Sequence, residues 1–157
     1  MKELTIDMYV NGEPQSFSVL PNETLMETLR NHGYVEVKCG CEKGDCGACA
    51  VLLDGVAIDS CLTLTGTLKG RAVTTVAGLS SGSELHPVHK AYIERGASQC
   101  GYCTPGFVIA TQSLLNEIPS PSDEDIRIGL SGNLCRCTGY TKIFDAVRQT
   151  AAELNEN

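Results

Sequence analysis

Nine cysteines in a chain of 157 residues constrain this sequence more than any other feature. Cys39, Cys41, Cys46, Cys49 and Cys61 lie in its first half, and Cys100, Cys103, Cys135 and Cys137 in its second. The count is odd, so a fully paired disulfide framework fits poorly. The N-terminus, Met1-Lys2-Glu3-Leu4-Thr5-Ile6, carries neither a long apolar stretch after its basic residue nor a twin arginine, so nothing in it is expected to direct export. In a reducing cytoplasm, cysteines at this density are expected to be metal ligands or redox groups.

Cys41-x4-Cys46-x2-Cys49, with Cys61 after a further gap, has the ligand spacing of plant-type ferredoxins. A [2Fe–2S] cluster takes four thiolates, two per iron, and carries net negative charge. Such a charge is costly in a protein interior unless donors are aimed at it. The loop from Gly40 to Cys49 is suited to that task. Gly40, Gly44 and Gly47 tolerate positive φ, so the backbone can wrap closely and turn its N–H groups toward sulfur. Cys61 would tie the loop to the following hairpin. Zinc is the competing metal, because Cys46-x2-Cys49 alone would suit it; the additional Cys41 and the glycine density favour the cluster. Cys39 is left over and reads as an unreactive or buried thiol.

Cys100-x2-Cys103 and Cys135-x-Cys137 form the second set. Cys103 precedes one expected helix, and Cys135 and Cys137 precede another. Thiolates near helix N-termini are stabilised by free N–H groups and by the helix dipole. Two facing pairs could hold a second [2Fe–2S] cluster, with zinc again the alternative.

The first half reads as strands around one helix, and the texture changes beyond residue 84. Leu4, Ile6, Met8 and Val10 alternate with polar residues, and Asn11-Gly12 turns that strand toward Phe17 and Val19. Asn22 or Thr24 can cap a helix through Leu25, Met26 and Leu29 to about His32, ended by Gly33. Ala50 to Leu53 and Val56 to Ile58 flank an Asp54-Gly55 turn, and a last strand runs from Ala72 to Val76. Two hairpins on one helix give an α+β pattern. The stretch between Ile58 and Ala72 has no clear pattern. Leu79 to Glu84 reads as a linker. Helices are then expected from Pro87 to Arg95, after a Thr104 cap with Pro105 at the first helical position, after a Ser122–Asp125 capping box, and from Tyr140 to about Leu154. Four such helices make a small bundle.

The net charge of −7 and a pI of about 4.9 argue against nucleic-acid binding, which rests on cations neutralising phosphates. The same acidity and the lack of a basic cluster argue against anionic membranes. No apolar run approaches the ~18 residues of a membrane helix. No residue reads as a hydrolytic or acid–base catalyst. His32 is expected near a helix C-terminus, and His86 and His89 on the surface beside a helix start. Lys38 and Lys43 read as solvated.

Three segments carry a family resemblance. Cys39-Gly40-Cys41-Glu42-Lys43-Gly44-Asp45-Cys46-Gly47-Ala48-Cys49 resembles the first-cluster loop of the xanthine dehydrogenase and aldehyde oxidoreductase family. Gln99-Cys100-Gly101-Tyr102-Cys103-Thr104-Pro105-Gly106 and Gly132-Asn133-Leu134-Cys135-Arg136-Cys137-Thr138-Gly139-Tyr140 resemble its second-cluster segments. The likeness spans essentially the whole chain and fills all the ligand positions.

The resemblance implies a ferredoxin-like β-grasp domain with a plant-type [2Fe–2S] loop over residues 1–78. A four-helix domain with a second [2Fe–2S] cluster is implied over residues 79–157. It implies Cys41, Cys46, Cys49 and Cys61 on the first cluster, and Cys100, Cys103, Cys135 and Cys137 on the second. It further implies that Gln99 and Cys137 lie against a molybdopterin cofactor. That cofactor belongs to a large partner subunit, and electrons pass from it through both clusters toward FAD, usually on a third subunit. The expected location is cytoplasmic. A free-standing two-cluster electron carrier and a zinc-stabilised interaction module are the alternatives, and the motifs choose no substrate among purines, N-heterocyclic acids, aldehydes and carbon monoxide.

Overall fold

The computed structural model describes residues 2–156. Asn11 and Gly12 take φ of 55° and 83° and turn β1 (Leu4–Val10) back onto β2 (Glu13–Val19). Asp54 and Gly55, at 48° and 89°, do the same between β3 (Ala50–Leu53) and β4 (Val56–Asp59). Two-residue turns of this hand match the twist of the flanking strands. Both hairpins are the ones that the Asn-Gly and Asp-Gly pairs predict.

Their joining is not a local property. β5 (Ala72–Thr74) runs parallel to β1 and antiparallel to β3, which gives a single sheet of order β2-β1-β5-β3-β4. β5 is shorter than its sequence suggests, because Val76 leaves the sheet in a 3-10 turn, Val76–Leu79. The patternless stretch before it holds two further turns of this kind, Ser60–Leu62 and Thr65–Thr67.

Helix α1 (Leu25–Asn31) begins at Thr24, not Asn22. The Thr24 amide donates to Glu27 Oε2 at 2.8 Å and the Glu27 amide donates to Thr24 Oγ1 at 3.3 Å, a reciprocal capping box. Leu25 and Leu29, one turn apart, are fully buried with Phe17, Val19, Val51 and Val73 in one core. Each such side chain contributes about 1.5–3 kcal/mol by leaving water. His32 is the C-terminal cap, as expected, with its ring edge-on to Phe17.

The second half contains α2 (Pro87–Glu94), α3 (Thr104–Glu117), α4 (Asp123–Gly129) and α5 (Thr141–Asn155). Three details depart from the sequence reading. Thr104 is not a cap: Cys103 is, and Thr104 is already helical, with its hydroxyl donating to Ser98 Oγ at 3.0 Å. His86 and His89 are half-buried, not surface residues. His86 Nδ1 accepts from the Val88 amide at the start of α2, His89 Nδ1 lies 2.8 Å from Ser80 Oγ, and burial lowers both pKa values. Helix α5 starts one residue late because Tyr140 takes a left-handed φ of 71°.

Val88, Phe107, Ile126, Ile143 and Val147 form the helical core. Ile109 on α3 is fully buried in a separate contact with Ala50 and Leu52 of β3. The Ala57 amide of β4 donates to Ser113 Oγ on α3 at 3.0 Å. Helix α3 thus seats the helical half on the β3–β4 hairpin. No helix among the described residues is long and apolar enough to cross a membrane.

Candidate metal centres

The first four thiols approach one another as two pairs. Cys41 interacts with Cys46, and Cys49 with Cys61. Cys49 ends the loop at the start of β3, and Cys61 sits in the turn after β4. The Ser60 hydroxyl donates to the Cys49 carbonyl at 2.6 Å and ties these positions together.

Backbone N–H groups converge on the sulfurs. The Asp45 amide donates to Cys41 Sγ at 3.2 Å. Chiefly the Lys43 amide, with those of Asp45 and Cys46, lowers the Cys41 thiol to about 7. Burial, and then the neighbouring Cys49, pushes Cys61 up to about 12 despite the Gly44 amide. A donor-lined loop of this kind favours bound thiolates once a metal supplies the opposing charge.

The loop glycines act differently from expectation in one case. Gly44 and Gly47 do take positive φ, at 81° and 66°, but Gly40 does not. A Cβ on Gly40 would lie 2.7 Å from Cys46 Sγ, so its role is clearance beside the thiol. The third left-handed residue of the loop is Glu42, with φ 57°. Its carboxylate accepts from Cys39 Sγ at 2.7 Å, and this bond, with burial, raises the Cys39 pKa. Cys39 is therefore held as a thiol, facing Glu42. Lys43 pairs with Asp45 at 3.0 Å and the Lys38 ammonium donates to the Val35 carbonyl at 3.0 Å, both at the exposed surface.

The second four thiols also pair. Cys103 interacts with Cys135, and Cys100 with Cys137. Cys103 caps α3, and Cys135 and Cys137 precede α5. Burial opposes ionisation of Cys135, but the Thr138 hydroxyl at 3.1 Å and the Thr138 amide at 3.4 Å outweigh it and bring the thiol down to about 7. Burial, followed by the Cys135 side chain, pushes Cys103 up to about 12. Tyr140 accounts for its strained backbone here, since its hydroxyl accepts from the Cys135 amide at 3.0 Å. Cys103 and Cys135 are half-buried, whereas Cys100, Cys137 and Gln99 are exposed on one face.

The two loops touch. The Leu134 amide donates to the Cys46 carbonyl at 3.1 Å, and Asn133 Nδ2 donates to the next carbonyl, Gly47, at 3.2 Å. The Tyr102 hydroxyl donates to the Cys39 carbonyl. Gly106 on α3 packs so close that a Cβ there would run into the Gly47 carbonyl oxygen.

The donor chemistry fits two binuclear iron–sulfur clusters. Each set offers two thiol pairs, as two irons require, with amide or hydroxyl donors directed at sulfur. A zinc ion asks instead for four ligands converging on one point.

Residues 8–73 match a family model described as a 2Fe-2S iron-sulfur cluster binding domain, and residues 75–148 one described as a [2Fe-2S] binding domain. The xanthine dehydrogenase iron-sulfur-binding subunit of Escherichia coli O157:H7 is 47% identical over 147 residues, covering 92% of each chain. The chain belongs to the iron–sulfur subunits of the xanthine dehydrogenase and aldehyde oxidoreductase family. A chain of quinoline 2-oxidoreductase from Pseudomonas putida 86 superposes with a TM-score of 0.94 at 40% identity, over 99% of this chain and 98% of that one. Aldehyde oxidoreductase from Desulfovibrio desulfuricans gives a TM-score of 0.92 at 41% identity, over 99% of this chain but only 17% of the other. In that protein the same fold is one part of a much longer chain. As a member of this molybdenum hydroxylase family, the chain is an electron-transfer component of an oxidoreductase, with two [2Fe–2S]-binding domains.

Asn133, Thr138 and Tyr140 were not legible as site residues. Each stands inside a recognised segment, yet only the fold shows that Thr138 faces a sulfur and Asn133 the opposite loop.

Proposed function

We propose that this chain carries electrons out of a molybdenum–pterin site on a large partner subunit toward an FAD-binding subunit. Cys100, Cys103, Cys135 and Cys137 hold the entry cluster, and Cys41, Cys46, Cys49 and Cys61 hold the second in line. The pairing of the thiols, with the two sets joined by the Leu134–Cys46 hydrogen bond, carries this reading. When bound, the clusters take up and release single electrons, which the pterin-bound molybdenum supplies and the flavin removes.

The chain's own residues set the direction. Cys100, Cys137 and Gln99 lie on the exposed side of the second set, where a partner's cofactor can approach, and Gln99 offers it a side-chain amide. The first loop is of the plant-type ferredoxin kind, and Cys49 and Cys61 are its buried ligands. We place the domain boundary at residues 78 and 79, between the ferredoxin-like part and a four-helix part; the exposed stretch from Ser81 to Leu85 supports it. A reducing cytoplasm suits a chain whose nine cysteines are all unbridged.

Rapid-freeze electron paramagnetic resonance of the intact complex mixed with substrate tests the order. The second-set signal is expected to rise first, and a Q99A complex, which keeps all eight thiols, should retain its iron and fill both clusters more slowly. A first-set signal that rises before the second-set signal, or without it, would contradict the proposal.

Thr138 should tune the entry cluster. A hydrogen bond to its thiolate favours the reduced, more negative state. Thr138→Val is expected to lower that cluster's potential by ~20–60 mV, taking ~0.5–1.5 kcal/mol for one hydrogen bond and 59 mV per tenfold change for one electron. A potentiometric titration that moves the entry cluster and leaves the Cys41–Cys61 cluster fixed would bear this out.

A further inference from the structure

The two thiol sets meet at a seam built by four residues. Asn133 is 7% exposed, although its side chain is an amide, and its Nδ2 is directed at the Gly47 carbonyl. The next residue along, Leu134, gives its backbone amide to the Cys46 carbonyl. Two consecutive donors on one loop thus grip two consecutive acceptors on the other. Gly47 and Gly106 allow the approach: a Cβ on Gly47 would collide with the Asn133 amide and the Gly132 carbonyl, and one on Gly106 with Gly47 itself.

The grip falls where the two sets are linked most directly. Leu134 adjoins Cys135, a second-set thiol, and its acceptor is the carbonyl of Cys46, a first-set thiol. One hydrogen bond therefore completes a bonded route from Cys135 Sγ, through the backbone of residues 135 and 134, to the backbone and Sγ of Cys46. The Asn133 side chain donates to the Gly47 carbonyl and its backbone amide to the Leu130 carbonyl, so neither donor is directed at sulfur. The Gly47 carbonyl has a second donor in the Ala50 amide at 3.2 Å, so it is not left unpaired without Asn133. A buried amide that neither binds metal nor rescues an orphaned carbonyl needs another role.

We propose that Asn133 is a positioning residue for electron transfer between the clusters, holding the Leu134 amide on the Cys46 carbonyl so that the bonded route stays closed. The role rests on the cluster assignment proposed above. Asn133 contributes through coupling between the sets, not through the potential of either cluster, because it donates to a carbonyl and not to sulfur.

The test compares the native complex carrying wild-type chain, N133A or L134A. Iron content and both potentials are measured first. Electron equilibration between the clusters after a reducing pulse is then followed, together with hydrogen exchange at the Leu134 amide. In N133A, full iron content and unchanged potentials are expected, with exchange at Leu134 about tenfold faster, the equivalent of one lost hydrogen bond, and with slower equilibration. L134A keeps its backbone amide and should match wild type in both readouts. If N133A loses iron, N133L, which keeps the side chain's size without a donor or a charge, carries the same comparison. Loaded N133A or N133L that equilibrates as fast as wild type, or keeps its Leu134 protection, overturns the role of Asn133. A wild-type complex that lacks two cluster signals overturns the cluster assignment beneath it, and the two failures are read separately.

Discussion

Cys46→Ser should release one cluster and leave the other, so that iron per chain falls from four to two in a protein with two [2Fe–2S]-binding domains. Cys103→Ser should do the same in the other half. Serine is a harder and less acidic ligand, and neither site has a spare thiol directed at the vacancy: Cys39 Sγ is engaged by Glu42. Each half should also lose stability. The first core rests on one short helix and a five-stranded sheet, while its loop of ten residues from Gly40 to Cys49 contains no helix or strand before Ala50. A cluster that pins such a loop contributes its binding free energy to folding, of the order of several kcal/mol by comparison with structural metal sites. Calorimetry should show one transition moving down sharply for each variant. Unchanged iron and an unchanged melting profile in either variant would contradict the assignment of that cysteine.

Gly106→Ala provides the second large effect, and its sign is decided by two opposed terms. Alanine inside a helix is favoured over glycine by roughly 0.5–1 kcal/mol, and Gly106 lies in the first turn of α3. Against this, its Cβ would meet the backbone of Gly47 and lie 3.2 Å from Ala48 Cα. No flexible side chain is available to move, and overpacking of this kind costs about 1–3 kcal/mol. The clash should win. Gly106→Ala is expected to destabilise the chain by about 1–2 kcal/mol and to loosen the seam between the halves. Gly47→Ala should be worse, because its φ of 66° adds backbone strain to contact with Asn133 and Gly132. Denaturant titration of both variants checks the order; a Gly106→Ala chain more stable than wild type would show that α3 can shift away from the loop.

Much of this fold was legible because its signals are local. Asn11-Gly12 and Asp54-Gly55 need only their own φ preferences, and the Thr24–Glu27 and Ser122–Asp125 boxes need only three-residue spacing. The two cysteine groups stood out by their spacing, and the fold brings each group together as two pairs of thiols. The insertion of β5 between the hairpins was not legible, since alternation marks a strand without naming its neighbours. Gly40 was misread for a related reason. Its freedom of φ is a property of the residue, whereas the sulfur that its missing Cβ makes room for comes from another part of the loop. His86 and His89 looked like surface residues because their burial depends on how Ser80 and the linker fold back over α2.

The seam was the least legible feature and the most consequential. Asn133 and Leu134 stand 86 and 88 residues from their respective acceptors, Gly47 and Cys46. Neither residue type signals such a partner. What the sequence does contain is the small residues that permit it, and these acquire meaning only when the loops are brought together.

A chain with two iron–sulfur clusters that serves a molybdenum-bearing partner has a fixed metal stoichiometry. Elemental analysis of the complex, isolated from its native host without dissociation, measures it. Four irons and one molybdenum for each copy of the chain, with a large subunit co-purifying, are the predicted result. Zinc in place of iron would contradict the cluster assignment, and four irons with neither molybdenum nor a partner would make the chain a free-standing electron carrier.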